Sequence, residues 1–303
     1  MDSVDKYQIK ALKKQIFISN LKAWIIGVIL IAEITFIALY MTKSGLLGSS
    51  GVTLGNKVAV LRYDKEVTES YTAKIMEKLD MIRKDSAYKA VLFIMSSPGG
   101  SPTASEELSA YLVDFQKDKN ITMYVESIAA SGGYYIASAV KPLIANKNAI
   151  VGSIGVIMPH YNLGELAKKV GVSEDYLAAG KFKKPISMFK EIDEENRKYM
   201  TEHLLKPTYE NFINSVAENR GLAPEQIRPF AEGKIYVANA PEIQGILVDK
   251  ISTLYRVKAE MRKQFGEKKV SFVTIPMEKK IPFLPEIKVN LSLQELTDQF
   301  HLQ

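Results

Sequence analysis

Two glycine-rich turns, each following an apolar run that reads as a strand, constrain this chain more than any other feature. The first is Ser96-Ser97-Pro98-Gly99-Gly100-Ser101, after the apolar residues 90–95. The second is Ser131-Gly132-Gly133, after the run 121–125 and the small residues Ala129-Ala130, and it opens a helix-like stretch at 134–140. A serine at a strand-to-helix junction is held out of the sheet, beside the positive end of the helix. Glycines on either side let a second backbone approach closely. One such turn is a weak signal; two in this order match what an oxyanion-stabilising serine hydrolase requires.

The rest of the body supplies the scaffold. Strand-like runs at 57–62, 90–95, 121–125, 143–145 and 149–157 alternate with helical patterns at 71–84, 105–115 and 134–140. A further long helix is expected over 193–219 and a shorter one from about Pro224. Alternation of this kind predicts an α/β fold with parallel strands and right-handed crossovers. A short strand is also expected at 176–179, ahead of the lysine-rich segment. From Val270 the chain carries Pro276, Pro282 and Pro285 and reads as strand and extended segments that need another surface to pack on.

Residues 23–41 form an almost wholly apolar run, interrupted by Glu33. A bilayer core takes roughly 20 residues of helix, so the run is long enough to span. No small-x-small cleavage site follows Met41, which favours an uncleaved anchor over a signal peptide. Lys6, Lys10, Lys13, Lys14 and Lys22 precede it against Asp2 and Asp5. The positive-inside rule then keeps the N-terminus in the cytoplasm and places everything after Met41 outside. Glu33 is costly in lipid unless paired or neutral. The expected organisation is a cytoplasmic segment 1–22, an anchor 23–41, a Gly/Ser-rich linker 42–56, a catalytic domain 57–269 and a C-terminal extension 270–303.

The 303 residues hold no cysteine, which excludes disulfides, a thiolate nucleophile and a cysteine metal site. The net charge of +6 is modest and its lysines are spread, so composition points away from nucleic acid. The histidines are His160, His203 and His301, none at zinc-ligand spacing. His203 falls in a helical run and His301 near the end, leaving His160 as the one histidine to watch. No metal or other cofactor is expected.

A serine hydroxyl needs a base to take its proton. With histidine scarce, lysine is the remaining candidate, and its ordinary pKa of about 10.4 must fall through burial or neighbouring positive charge. Gly180-Lys181-Phe182-Lys183-Lys184 gathers three lysines around one aromatic ring. By composition alone it reads equally as a basic surface loop. Ser131 likewise reads as a helix N-cap, Ser153 as a packing residue between glycines, and Gly99-Gly100 as a tight turn.

Taken together, the motifs resemble a known family. Ser-Pro-Gly-Gly100, Ala-Ala-Ser131-Gly-Gly-Tyr-Tyr, Gly152-Ser153-Ile154-Gly155-Val156, Gly180-Lys-Phe-Lys183 and Gly233-Lys234-Ile235-Tyr236 stand in the order found in the signal peptide peptidase A (protease IV) family. The likeness runs from about Lys57 to Ile251. It implies a Clp protease/crotonase-like α/β fold, here with an N-terminal transmembrane helix. It implies Ser131 as nucleophile, Lys183 as general base 52 positions later, and Ser153 orienting the lysine amine. Amides of Gly132 and of the Gly99-Gly100 turn would form the oxyanion hole, each donor worth about 3 to 4 kcal/mol in the transition state. The chain departs from the family at Ala139-Val140-Lys141, where Ala-Ala-Asp is usual, and at Lys234, where arginine is common.

The resemblance further implies a homo-oligomer in a bacterial cytoplasmic membrane, with serine and lysine meeting across a protomer boundary and the catalytic domain periplasmic or otherwise extracytoplasmic. Expected substrates are cleaved signal peptides and other apolar peptides at the lipid bilayer. The rival expectations are a peptidase for specific membrane proteins or defence peptides, and a non-catalytic ring-forming scaffold. An acyl-CoA-handling crotonase relative is disfavoured by the anchor and the lysine motif.

Overall fold

The computed structural model describes residues 3–43, 56–266 and 270–277. It divides into two units, the larger spanning residues 55–278. In the first unit a single helix, α1 (Ser3–Lys43), covers both the basic flank and the apolar run. Its stretch Ile16–Tyr40 is long and apolar enough to cross a membrane. Within it Thr35 returns its hydroxyl to the Ile31 carbonyl at 2.6 Å, so that polar group is satisfied inside the helix. The expected linker (44–55 of it) and the tail beyond residue 277 lie outside the described residues.

The second unit begins with β1 (Asn56–Tyr63), α2 (Glu69–Lys84), β2 (Tyr88–Ser97), α3 (Pro102–Asp118), β3 (Asn120–Ala130) and α4 (Gly132–Ser138). Short strands β4 (Leu143–Ala145) and β5 (Ile150–Gly152) follow, then α5 (Gly164–Lys169) in a long irregular stretch. Next comes a continuous helical rod: α6 (Glu194–Met200), a π-helical turn Thr201–Leu205 and α7 (Lys206–Arg220). The chain ends with α8 (Pro224–Ile227), β6 (Ile235–Val237), β7 (Lys250–Ile251), α9 (Leu254–Phe265) and β8 (Val270–Thr274).

The sheet runs β6-β5-β3-β2-β1-β8, with β4 on β3 and β7 on β4; only β5–β6 is antiparallel. A parallel sheet is covered on both faces, which is why its strands are continuously apolar. Ala59, Leu61, Val91, Phe93 and Met95 face one core with α2, α3, α4 and α7. Val58, Val60, Leu92, Ile94 and Tyr124 face the other, with Val257 and Met261 of α9. In α2 the buried Thr72, Ile75, Leu79 and Ile82 recur at helical spacing. Burying Ile75 or Leu79 fully stabilises by about 2 kcal/mol each. Thr68 caps α2 and Ser101 caps α3, their side chains accepting from the amides of Tyr71 and Ala104.

β3 is the longest strand and serves two neighbours in turn. Its residues Met123–Val125 pair with β4, while Ile128, Ala129 and Ala130 pair with β5. Between them the register against β2 slips, Met95 facing Val125 and Ser97 facing Ala129. The slip carries the end of β3 past the main sheet toward the Gly99–Gly100 turn. Two expectations are corrected. Residues 176–179 pair with no strand, and the strand expected over 149–157 stops at Gly152, where φ turns to 100° and then to 54° at Ser153.

Candidate active site

Ser131 is the hinge between β3 and α4. Its backbone sits at φ 50°, ψ −126°. Three hydrogen bonds hold it there: its N–H donates to the Gly152 carbonyl at 2.9 Å, and its carbonyl accepts from the amides of Tyr134 and Tyr135. A non-glycine residue in such a region costs about 1–3 kcal/mol, so the surrounding structure must enforce it. The hydroxyl is not spent on capping α4. Half-buried, it is left without a hydrogen-bond partner among the described residues.

Among the described residues, one other non-glycine has positive φ, and it is Ser153. Ala130 faces Gly152 in the β3–β5 ladder, so Ser131 and Ser153 leave adjacent strand ends side by side. Adjacent strands lie about 4.8 Å apart. The Ser153 amide donates to the Lys234 carbonyl at 2.7 Å, which fixes the second turn as the Gly152 carbonyl fixes the first. The two serines singled out by sequence are thus the two strained by the fold.

The glycines make this packing feasible. A Cβ on Gly99 would stand 2.7 Å from Ser131 Cβ and 2.9 Å from Gly132 N. One on Gly132 would stand 3.3 Å from Gly100 N and 2.3 Å from Ser105 Oγ, and one on Gly133 would meet the Ser97 carbonyl at 2.6 Å. The two turns therefore interlock at backbone contact. The amides differ, however. Gly99 N–H donates to Ser97 Oγ at 3.2 Å. Those of Gly100 and Gly132 have no acceptor among the described residues. Of the Gly99-Gly100 pair, Gly100 is the one with an unspent donor.

Lys183 lies in the irregular stretch between β5 and α6, where its amide donates to Gly180 at 3.1 Å. Its side chain is exposed. Its neighbours are engaged: Lys181 with Glu195, Lys184 with Glu174, and Phe182 stacked on Tyr199 at 4.3 Å between ring centroids. The Lys183 amine has no hydrogen-bond or ion-pair partner among the described residues. Within one chain no hydrogen bond joins it to Ser131 or Ser153 among the described residues. The same stretch exposes Ile157 (86%), Tyr161, Leu166, Val170 and Leu177.

The histidines play other parts. His160 Nε2 donates to the Ser187 carbonyl at 2.9 Å, His203 packs on Tyr199 in the π-helical turn, and His301 lies outside the described residues. Tyr134 is buried, its hydroxyl donating to the Leu247 carbonyl, and burial pushes its pKa up. Tyr135 stacks on Phe212 at 4.9 Å. The parts played by Ser97, Ser105, Glu174 and Tyr199 escaped sequence reasoning, because a hydroxyl, carboxylate or ring without a motif of its own gives no signal of which neighbour it meets once folded. Among the described residues no cluster of His, Asp or Glu could hold a metal ion.

Comparison with known proteins identifies relatives of the chain. The model of "Peptidase family S49" matches residues 113–268, a span holding Ser131, Ser153 and Lys183. A "putative protease" of Methanocaldococcus jannaschii is 37% identical over 58% of this chain and 56% of its own length. A "putative signal peptide peptidase SppA" of Enterococcus faecium is 32% identical over 66% of this chain and 57% of its own. The chain thus spans a little over half the length of these relatives. Among solved structures, a mutant ClpP1 of Listeria monocytogenes aligns with a TM-score of 0.40 at 15% identity, over 64% of this chain and 91% of that one. The family model covers half the chain, and the chain belongs to peptidase family S49, the family of signal peptide peptidase A.

Proposed function

We propose that this protein is a membrane-anchored serine endopeptidase that cleaves apolar peptides, signal-peptide remnants among them, through a Ser131–Lys183 dyad. The observation that carries this reading is the unspent Ser131 hydroxyl, held at positive φ between the unspent amides of Gly100 and Gly132. In the proposed reaction Ser131 Oγ attacks the scissile carbonyl as its proton passes to the neutral Lys183 amine. The carbonyl oxygen becomes an oxyanion and accepts hydrogen bonds from Gly100 and Gly132. Collapse breaks the C–N bond, and Lys183 returns the proton to the leaving amine. Water, deprotonated by the same lysine, then hydrolyses the acyl ester and frees Ser131. Ser153 would hold the lysine amine with its hydroxyl.

Lys183 serves best if it is contributed by a neighbouring copy. Its exposure, its lack of a partner among the described residues and the exposed apolar side chains elsewhere in the same irregular stretch support that arrangement. Docking of a second copy would bury the amine, and burial favours its neutral form. The anchor reading rests on α1, which would keep the site outside the cytoplasm close to the bilayer, where apolar peptides partition.

Hydrolysis of an apolar peptide by full-length protein in detergent tests the proposal. Ser131→Ala and Lys183→Ala should each abolish turnover while leaving assembly intact. Mixed assemblies of the two variants should recover part of it if the dyad crosses between copies. Equal turnover by wild type and Ser131→Ala would overturn the reading and leave a scaffold.

A further inference from the structure

The Lys183 turn is clamped on both sides, while the Lys183 amine has no partner among the described residues. On one side Phe182 lies flat on Tyr199 of α6, with the rings 12° apart, and Tyr199 in turn packs against His203 at 5.3 Å. On the other side Glu174, whose side chain is 15% exposed, accepts from Lys184 Nζ and from Ser187 Oγ. The Lys184 amine also sits 4.5 Å over the Tyr176 ring. The Lys181–Glu195 pair is open to solvent on both partners and contributes little. The turn thus depends on Glu174 and Tyr199, which reach it from opposite sides in sequence.

We infer that Glu174 and Tyr199 are positioning residues for Lys183, holding its turn so that the one amine without a carboxylate projects from the surface. This inference rests on Lys183 acting as the base. Of the three lysines, Lys181 and Lys184 are paired with Glu195 and Glu174, while the Lys183 amine has no carboxylate partner among the described residues. Neither Glu174 nor Tyr199 contacts the reacting atoms; each acts through the residue next to Lys183.

The test uses the full-length assembled protein and an apolar peptide substrate, with Lys183→Ala as reference. Tyr199→Ala and Glu174→Gln should each lower kcat about tenfold or more, with KM within about twofold, because the base is misplaced and binding is not. The acid limb of kcat against pH should also move, since that limb reports deprotonation of the base. Tyr199→Phe keeps the ring and should restore both. If Tyr199→Ala fails to assemble, Glu174→Gln carries the same test. Wild-type kcat and pH profile in Glu174→Gln and Tyr199→Ala, with Lys183→Ala inactive, would refute the positioning role alone. Full activity in Lys183→Ala would instead overturn the dyad.

Discussion

Placing one methyl group on Gly99 tests the interlocked turns. In Gly99→Ala the new carbon would stand 2.7 Å from Ser131 Cβ, 2.8 Å from the Ala130 carbonyl and 2.9 Å from Gly132 N, whereas ordinary contact begins at 3.4 Å. Three backbone-anchored neighbours cannot all retreat, and overpacking of this kind costs about 1–3 kcal/mol. The φ of +108° adds strain that an L side chain pays at about 1–2 kcal/mol. The expected loss of stability is therefore about 2–5 kcal/mol. Relief has to come by shifting Ser131 roughly half an ångström. If a 1 Å misplacement costs about a hundredfold, kcat/KM should fall at least about tenfold. Gly245→Ala is the control: its φ is +74°, but open space surrounds the added carbon. It should lose about 1–2 kcal/mol and keep full kcat/KM. Urea unfolding followed by far-ultraviolet circular dichroism measures the first quantity, since the single tryptophan, Trp24, lies in α1. If Gly99→Ala and Gly245→Ala behave alike in both stability and turnover, the close approach is not what the first turn is for.

Three further outcomes follow from the same geometry. Ser131→Gly and Ser153→Gly should each raise stability by about 1 kcal/mol over the matching alanine variants, because glycine tolerates positive φ; thermal melting checks this. Asp249→Asn should cost about 3 kcal/mol at neutral pH, since the Arg220 guanidinium is 1% exposed and would lose its carboxylate. Burial raises the Asp249 pKa, but hydrogen bonds from Arg220 and the Leu143 amide outweigh it and hold the carboxyl below its usual range. Its contribution is therefore complete above the unfolded value of about 3.9 and is lost as pH falls through the lower folded value, a slope that Asp249→Asn should lack in acid denaturation. Finally, the full chain should sediment with membranes after a high-salt wash, and a chain starting at residue 44 should not.

The fold was legible where burial is two-sided. The runs at 57–62, 90–95 and 121–125 are mostly apolar because helices cover both faces of β1, β2 and β3, and each reads as a strand. β6 and β7 do not, being three and two residues long and stabilised by register with β5 and β4 rather than by their own pattern. Residues 176–179 are a short apolar run that reads as a strand, yet they pair with no strand. The serines were legible because the turn chemistry is local: Ser131 and Ser153 each sit beside a glycine at a strand end. The choice of Gly100 over Gly99 as the unspent donor was not, because it depends on the Ser97 hydroxyl. Nor could sequence place Lys183, since about thirty residues with little regular structure separate it from Ser153, and Glu174 and Tyr199 become its supports only through folding.

The proposed catalysis depends on a primary hydroxyl made reactive by an amine. The most direct measurement is covalent labelling of the assembled protein with a serine-directed phosphonate probe, followed by mass-spectrometric mapping of the adduct. A single adduct on Ser131, slowed at least about a hundredfold in Lys183→Ala, is the result the account requires. An adduct on another serine, or a labelling rate unchanged in Lys183→Ala, would contradict it.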